Sequence, residues 1–157
     1  LVMVFSAKEA RASAYDDWIA GYPGIVDPSP RGDADDDGIP NGIEFVLGTR
    51  PDSPDARTVL PEMALVRITT PGVVPPGDYL KVTWRRADRA NELDPSVEIS
   101  TNLMDWRAAA GGTEGIVIRE FAEGYGPFLD RVEVYIPMAL AVNGRLLARL
   151  KLPSTQA

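Results

Sequence analysis

The chain has 157 residues and a net charge of −7, from 16 basic and 23 acidic groups. That length accommodates one ordinary domain or two small units sharing a core, and no apolar run approaches the ~18 residues of a membrane span. Cysteine and histidine are both absent, which excludes disulfides, thiolate zinc sites, imidazole-activated nucleophiles and every histidine-based metal site.

The acidity is uneven. Residues 1 to 60 hold 5 basic and 11 acidic groups, and the remaining 97 hold 11 and 12. There is no basic patch of the kind a nucleic-acid surface needs. The oxygen donors that remain are hard ligands suited to calcium or magnesium.

The opening LVMVF is too short for a signal-peptide core and reads as the remnant of one or as a first strand. The start at Leu1 implies a longer or processed product. SAKEARASAYDDWIAGYP reads as an amphipathic helix, with Ser6 and Glu9 spaced as a capping box. Tyr15, Trp18, Ile19 and Tyr22 form its apolar stripe, and Gly21 and Pro23 end it. The Pro-rich GYPGIVDPSPRG is an extended connector. PNGIEFVLG is a short helix with Pro40 in its first turn, Gly48 as its C-terminal cap, and Ile43, Val46 and Leu47 on its apolar face.

From about Pro61 the apolar period changes to two. Ala64, Val66 and Ile68 share one side of a strand, as do Leu80, Val82 and Trp84, then Val132, Val134 and Ile136, then Leu146, Ala148, Leu150 and Leu152. SVEIS and GIVIREF are shorter candidates. With turn signals between them, these strands predict an antiparallel two-sheet, immunoglobulin-like sandwich. The expected division is residues 1–60, holding helix, connector, acidic loop and short helix, and residues 61–157, holding the sandwich, packed together as one unit.

Between connector and short helix lies GDADDDGIPNGIEF, with four aspartates and one glutamate. With Asp33 as position one, Asp35, Asp37, Gly38 and Glu44 fall at three, five, six and twelve, matching the calcium-loop pattern D-x-[DN]-x-[DN]-G-x5-E. Alternate side chains of such a turn point inward and give one oxygen each. Ile39 at position seven gives its backbone carbonyl, Asn41 at nine contributes directly or through water, and Glu44 gives two oxygens, about seven in all. Gly38 permits the sharp turn, and Asp36 points away. No helix enters this loop, and Pro40 removes the N–H through which paired loops bridge. A solitary, structural Ca2+ site is therefore expected. Because Asp33 is a ligand in this register, the RGD tripeptide Arg31 to Asp33 is not read as an adhesion motif.

The loop and its exit helix, DADDDGIPNGIEFVLGTRPDSPDA, resemble the thrombospondin type 3 calcium repeat as it occurs singly in bacterial surface proteins. The stretches LKVTWRRADRANELDPSVEISTNLMDW and DRVEVYIPMALAVNGRLLARLKL resemble a β-sandwich module at the C-terminal ends of large secreted bacterial proteins. The resemblance implies calcium at Asp33, Asp35, Asp37, Asn41 and Glu44, and a secreted, extracellular or cell-surface location. It also implies a non-catalytic accessory or anchoring role toward a protein or polysaccharide at the cell surface. Dockerins use two such loops, and a second copy is absent here.

Two further roles are open. A carbohydrate-binding module would need exposed aromatics, and Tyr79 and Tyr135 (outward on the strand alternation) with Tyr125 and Phe128 (in a Gly/Pro turn) are the candidates. A self-assembling surface subunit would use the outward basic residues Lys81, Arg85, Arg149 and Lys151 against the acidic first part. An enzyme is not expected, because the densest carboxylates are committed to a cation that holds them ionised.

Overall fold

The computed structural model describes residues 13 to 152. The opening LVMVF and the Ser6–Glu9 capping pair lie outside the described residues. Helix α1 (Ala14–Ile19) starts from an extended Ser13. Ser13 and Asp16 cap it reciprocally: Asp16 N–H donates to Ser13 Oγ at 3.1 Å and Ser13 N–H to Asp16 Oδ2 at 3.0 Å. Helix α2 (Asn41–Leu47) follows Pro40, which occupies the cap position in an extended conformation, and ends at Gly48 in the left-handed region. A 3-10 turn, Ala56–Val59, leads toward the first strand.

Seven strands follow: β1 (Glu62–Ile68), β2 (Gly77–Ala87), β3 (Ser96–Ser100), β4 (Arg107–Ala108), β5 (Val117–Phe121), β6 (Leu129–Pro137) and β7 (Leu147–Lys151). They form a four-stranded sheet, β1-β2-β6-β5, and a three-stranded sheet, β4-β3-β7. All pairings are antiparallel. With the two-residue β4 set aside, lettering the strands A to F in chain order gives A-B-E-D in one sheet and C beside F in the other. That is the strand order of immunoglobulin constant-type sandwiches, without a G strand among the described residues.

The period-two pattern sorts the faces as expected. Val82 pairs with Val134 and Trp84 with Val132. All four are buried in one cluster with Val97 and Ile99 of the other sheet, and Leu146, Ala148, Leu150 and Leu152 pack against it. Tyr15 and Ile19 of α1 and Phe45 and Val46 of α2 belong to the same cluster. Phe45 was not on the face read from the sequence, yet it is fully buried and meets Tyr15 and Trp18 edge-on at centroid distances of 5.4 and 5.2 Å.

One reading of the strands is corrected. Tyr79 and Tyr135 do leave the outer face of the four-stranded sheet, but they are not exposed. They are 5% and 6% accessible and form a second small core with Val74, against which Val66, Ile68 and Val117 pack. Their rings meet edge-on at 6.0 Å, and Tyr79 Oη donates to the Pro75 carbonyl at 2.9 Å. The segment before β2 therefore folds back over them. On the opposite face of β1, Met63 and Leu65 are aligned with Val82 and Leu80 yet lie 55% and 73% exposed. This edge strand overhangs the core.

Candidate metal centre

The connector braces the acidic loop before any ligand question arises. Asn41 N–H donates to the Gly32 carbonyl at 2.8 Å and Gly42 N–H to the Pro30 carbonyl at 2.9 Å. The buried Asn41 side chain donates through Nδ2 to the carbonyls of Asp27 and Ser29, at 2.9 and 3.0 Å, and accepts from Ala34 N–H at 3.3 Å. The structure thus places Asn41 as a clamp on the connector.

Each inward aspartate of the loop divides its carboxylate. One oxygen holds the turn: Asp33 Oδ2 accepts from Gly38 N–H at 2.8 Å, Asp35 Oδ1 from Asp37 N–H at 3.1 Å, and Asp37 Oδ1 from Ile39 N–H at 2.8 Å. The other oxygen of each (Asp33 Oδ1, Asp35 Oδ2 and Asp37 Oδ2) is sealed from solvent without a hydrogen-bond partner. Asp33, Asp35 and Asp37 each offer an oxygen within 4.8 Å of the others, a spacing able to hold a metal ion. Asp36 is exposed with φ at 58°, pointing away as its place in the motif predicts, and Gly38 has φ at 90°.

Glu44 reaches the site from the first turn of α2. It is 0% exposed, and neither carboxylate oxygen has a partner. Burial, followed by the fields of Asp35, Asp37, Asp55 and Asp33, pushes its pKa up to about 8. Burial and the neighbouring Asp37 and Asp33 likewise raise Asp35, against the lowering effect of its backbone hydrogen bond. A buried carboxylate without partners is costly, several kcal/mol for an uncompensated charge. A cation among these oxygens removes that cost. The trio whose oxygens lie within 4.8 Å of one another does not itself include Glu44, which would join it as a donor from α2.

Two residues from beyond the motif complete the surroundings. Arg57 Nε donates to the Asp37 carbonyl at 2.5 Å, and a Cβ on Gly38 would lie 3.0 Å from Arg57 Nη2. Asp55, which starts the 3-10 turn, also has a sealed, unpartnered oxygen. Sequence reasoning missed both because the motif ends at Glu44.

The aromatic candidates separate into two pairs. Tyr79 and Tyr135 are buried in the outer cluster, as described. Tyr125 and Phe128 are 45% and 72% exposed, and Phe128 has φ at 63°. Phe128 lines an open cleft of about 370 Å³ with Gly48, Ala87, Asp88, Arg89, Pro127 and Leu129. The basic residues are engaged internally: Lys81 with Glu133 at 2.9 Å, Arg85 with the Leu47 carbonyl at 2.7 Å, and Arg149 and Lys151 with Glu98 at 2.7 and 2.8 Å.

Fold and site define a class: a mainly β, two-sheet protein with an acidic loop of oxygen donors able to hold a metal ion. No protein-family model, curated protein or solved structure matches the chain. Among the described residues, no helix is long and apolar enough to cross a membrane.

Proposed function

We propose that this chain is a calcium-binding, non-catalytic interaction or anchoring module of a larger secreted protein. The supporting observation is Glu44, whose carboxylate is fully buried and unpartnered at the twelfth position of the loop. An all-oxygen donor set of six or more ligands suits calcium better than magnesium, which keeps several of its waters. The ion acts structurally, tying the loop to α2, whose Phe45 and Val46 belong to the sandwich core. Millimolar extracellular calcium fills even a weak site of this kind. The likeness of the loop to thrombospondin type 3 repeats supports the extracellular setting.

The test is a thermal melt in EDTA, in calcium and in magnesium, with Asp37→Ala beside the wild type. Calcium alone raises the melting temperature, and the variant loses that rise. Identical curves in all three conditions would make the loop a solvated acidic turn.

A second reading, carbohydrate binding, now rests on Tyr125 and Phe128, because an exposed Phe in the left-handed region is an unusual feature beside a cleft. Retarded migration in polysaccharide-containing gels, lost in Phe128→Ala, supports it. Unchanged migration removes it. Self-assembly through Lys81, Arg85, Arg149 and Lys151 has weaker support, since each already has an internal partner.

A further inference from the structure

We infer that Asp55 is a metal ligand supplied from outside the loop, so that five carboxylates from three chain segments surround one hard cation. The inference rests on the metal-site reading above and adds the residue that closes the shell.

The first observation is what Asp55 does not do. It occupies the cap position of the turn Ala56–Val59, where an aspartate ordinarily accepts a backbone N–H of that turn. Its side chain makes no such bond. The turn is closed by the Asp55 main-chain carbonyl, which accepts from Thr58 N–H at 3.2 Å and from Thr58 Oγ1 at 2.7 Å. The carboxylate makes no ion pair within 4.0 Å among the described residues, although its charge is felt by Arg50.

The second observation is which oxygens are orphaned. Among the described residues, every carboxylate oxygen that is sealed from solvent without a hydrogen bond belongs to Asp33, Asp35, Asp37, Glu44 or Asp55. Four of these are motif positions, and Asp55 is the one that is not. Its charge is among those that raise Glu44. Two residues on, the Arg57–Asp37 hydrogen bond holds this segment against the loop.

The third is the ligand count. Asn41 donates through Nδ2 to the Asp27 and Ser29 carbonyls and its Oδ1 accepts from Ala34 N–H, so it is left out of the count. One oxygen from each of three aspartates, the Ile39 carbonyl and two oxygens from Glu44 make six. Asp55 makes the seventh, within the range calcium takes. A site so rich in carboxylates favours trivalent lanthanides, which makes terbium a direct probe of the shell.

The experiment uses the full chain and its Asp55→Ala, Asp36→Ala and Glu44→Gln variants. Calcium affinity comes from calorimetry, and the number of waters on bound terbium from luminescence lifetimes in H2O and D2O. Asp55→Ala, which leaves no ligand oxygen at that position, should weaken calcium binding roughly tenfold or more and add about one water to the ion. Asp36→Ala should change neither. In EDTA, Asp55→Ala should melt no lower than wild type, since it relieves repulsion and breaks no side-chain cap bond. Wild-type affinity and hydration in Asp55→Ala, with binding lost in Glu44→Gln, would remove Asp55 from the shell and leave the site standing. A lower melt in EDTA with unchanged hydration would make Asp55 a folding residue and overturn the inference. A wild type that binds neither ion would overturn both readings.

Discussion

Asn41 and Glu44 sit one turn apart on α2, both at 0% exposure, and their polar atoms meet opposite fates. The Asn41 amide is engaged by Asp27, Ser29 and Ala34, whereas the Glu44 carboxylate has no partner at all. One helix turn therefore does two jobs. Its first residue fastens the connector, and its fourth sets a buried carboxylate in the field of the loop aspartates.

Glu44→Gln should consequently have effects of opposite sign with and without metal. In EDTA near pH 8 the variant should be more stable than wild type by about 1–3 kcal/mol, because an amide replaces a buried charge and can donate to the orphaned aspartate oxygens. In calcium it should be less stable, and its melting temperature should no longer respond to the ion. Urea unfolding in the two buffers measures both. A variant less stable than wild type in EDTA would contradict the account of Glu44.

The metal-free protein should lose stability as pH rises from about 4.5 to about 8. Folded Glu44 keeps its proton up to about 8, against 4.5 as its ordinary value. Between those limits the unfolded state binds fewer protons than the folded one, so unfolding becomes easier as pH increases. The raised Asp35 acts in the same direction at the acid end. Glu98, held low by Lys151 and Arg149, works oppositely, but only at and below the ordinary carboxylate range. Calcium should cancel the trend, since the ion keeps the carboxylates ionised. Melts between pH 5 and pH 8 in EDTA, about 1–2 pH units apart, follow the window. A melting temperature that rises steadily across it would contradict the assignment.

The alternation of Val82 with Trp84 and of Val132 with Val134 made the buried sheet faces legible, and the spacing of the loop singled out Asp33, Asp35 and Asp37, whose oxygens lie within 4.8 Å of one another. The failures have physical causes. Alternation says which side of a strand a residue leaves, not whether another segment will cover that side. For that reason Tyr79 and Tyr135 read as exposed, although Val74 and Pro75 lie over them. The cap was read at Ser6 and Glu9, which lie outside the described residues, whereas Ser13 and Asp16, with the same spacing, cap α1. Asp55 carries no local pattern. Its place depends on how the turn after α2 folds back on the loop.

Gly48→Ala should cost about 2–3 kcal/mol, combining the penalty for a side chain at positive φ with overpacking. Gly48 has φ at 77°, and an added Cβ would stand 2.6 Å from Leu129 Cδ2 at the start of β6. The residue is both the end of α2 and its contact with the four-stranded sheet. Because it lies away from the loop oxygens, the calcium-dependent gain in melting temperature should survive while both curves move down. Loss of the calcium response as well would mean that the seating of α2 on the sheet also sets the geometry of Glu44.

Arg89→Lys tests a second hold on the C-terminal end of α2. The Arg89 guanidinium donates to the carbonyls of Phe45 and Thr49 at 3.2 and 3.3 Å, and lies 5.0 and 5.2 Å from the ring centres of Trp18 and Phe45. It thus satisfies carbonyls at the C-terminal end of α2, where a cation also suits the helix dipole. At the same time it stacks among the aromatics that join α1 to α2. Burial lowers its pKa from the usual arginine value, yet a guanidinium stays charged in this setting. A lysine keeps the charge but has no planar fork to serve two carbonyls and two rings together. The substitution should cost about 1–3 kcal/mol by urea unfolding, with a change in tryptophan fluorescence reporting the altered contact at Trp18. The calcium affinity of the folded variant should stay at the wild-type value, because Arg89 bonds to α2 carbonyls and to none of the loop carboxylates. A variant as stable as wild type would show that charge alone, without the fork and the stacking, holds the helix end.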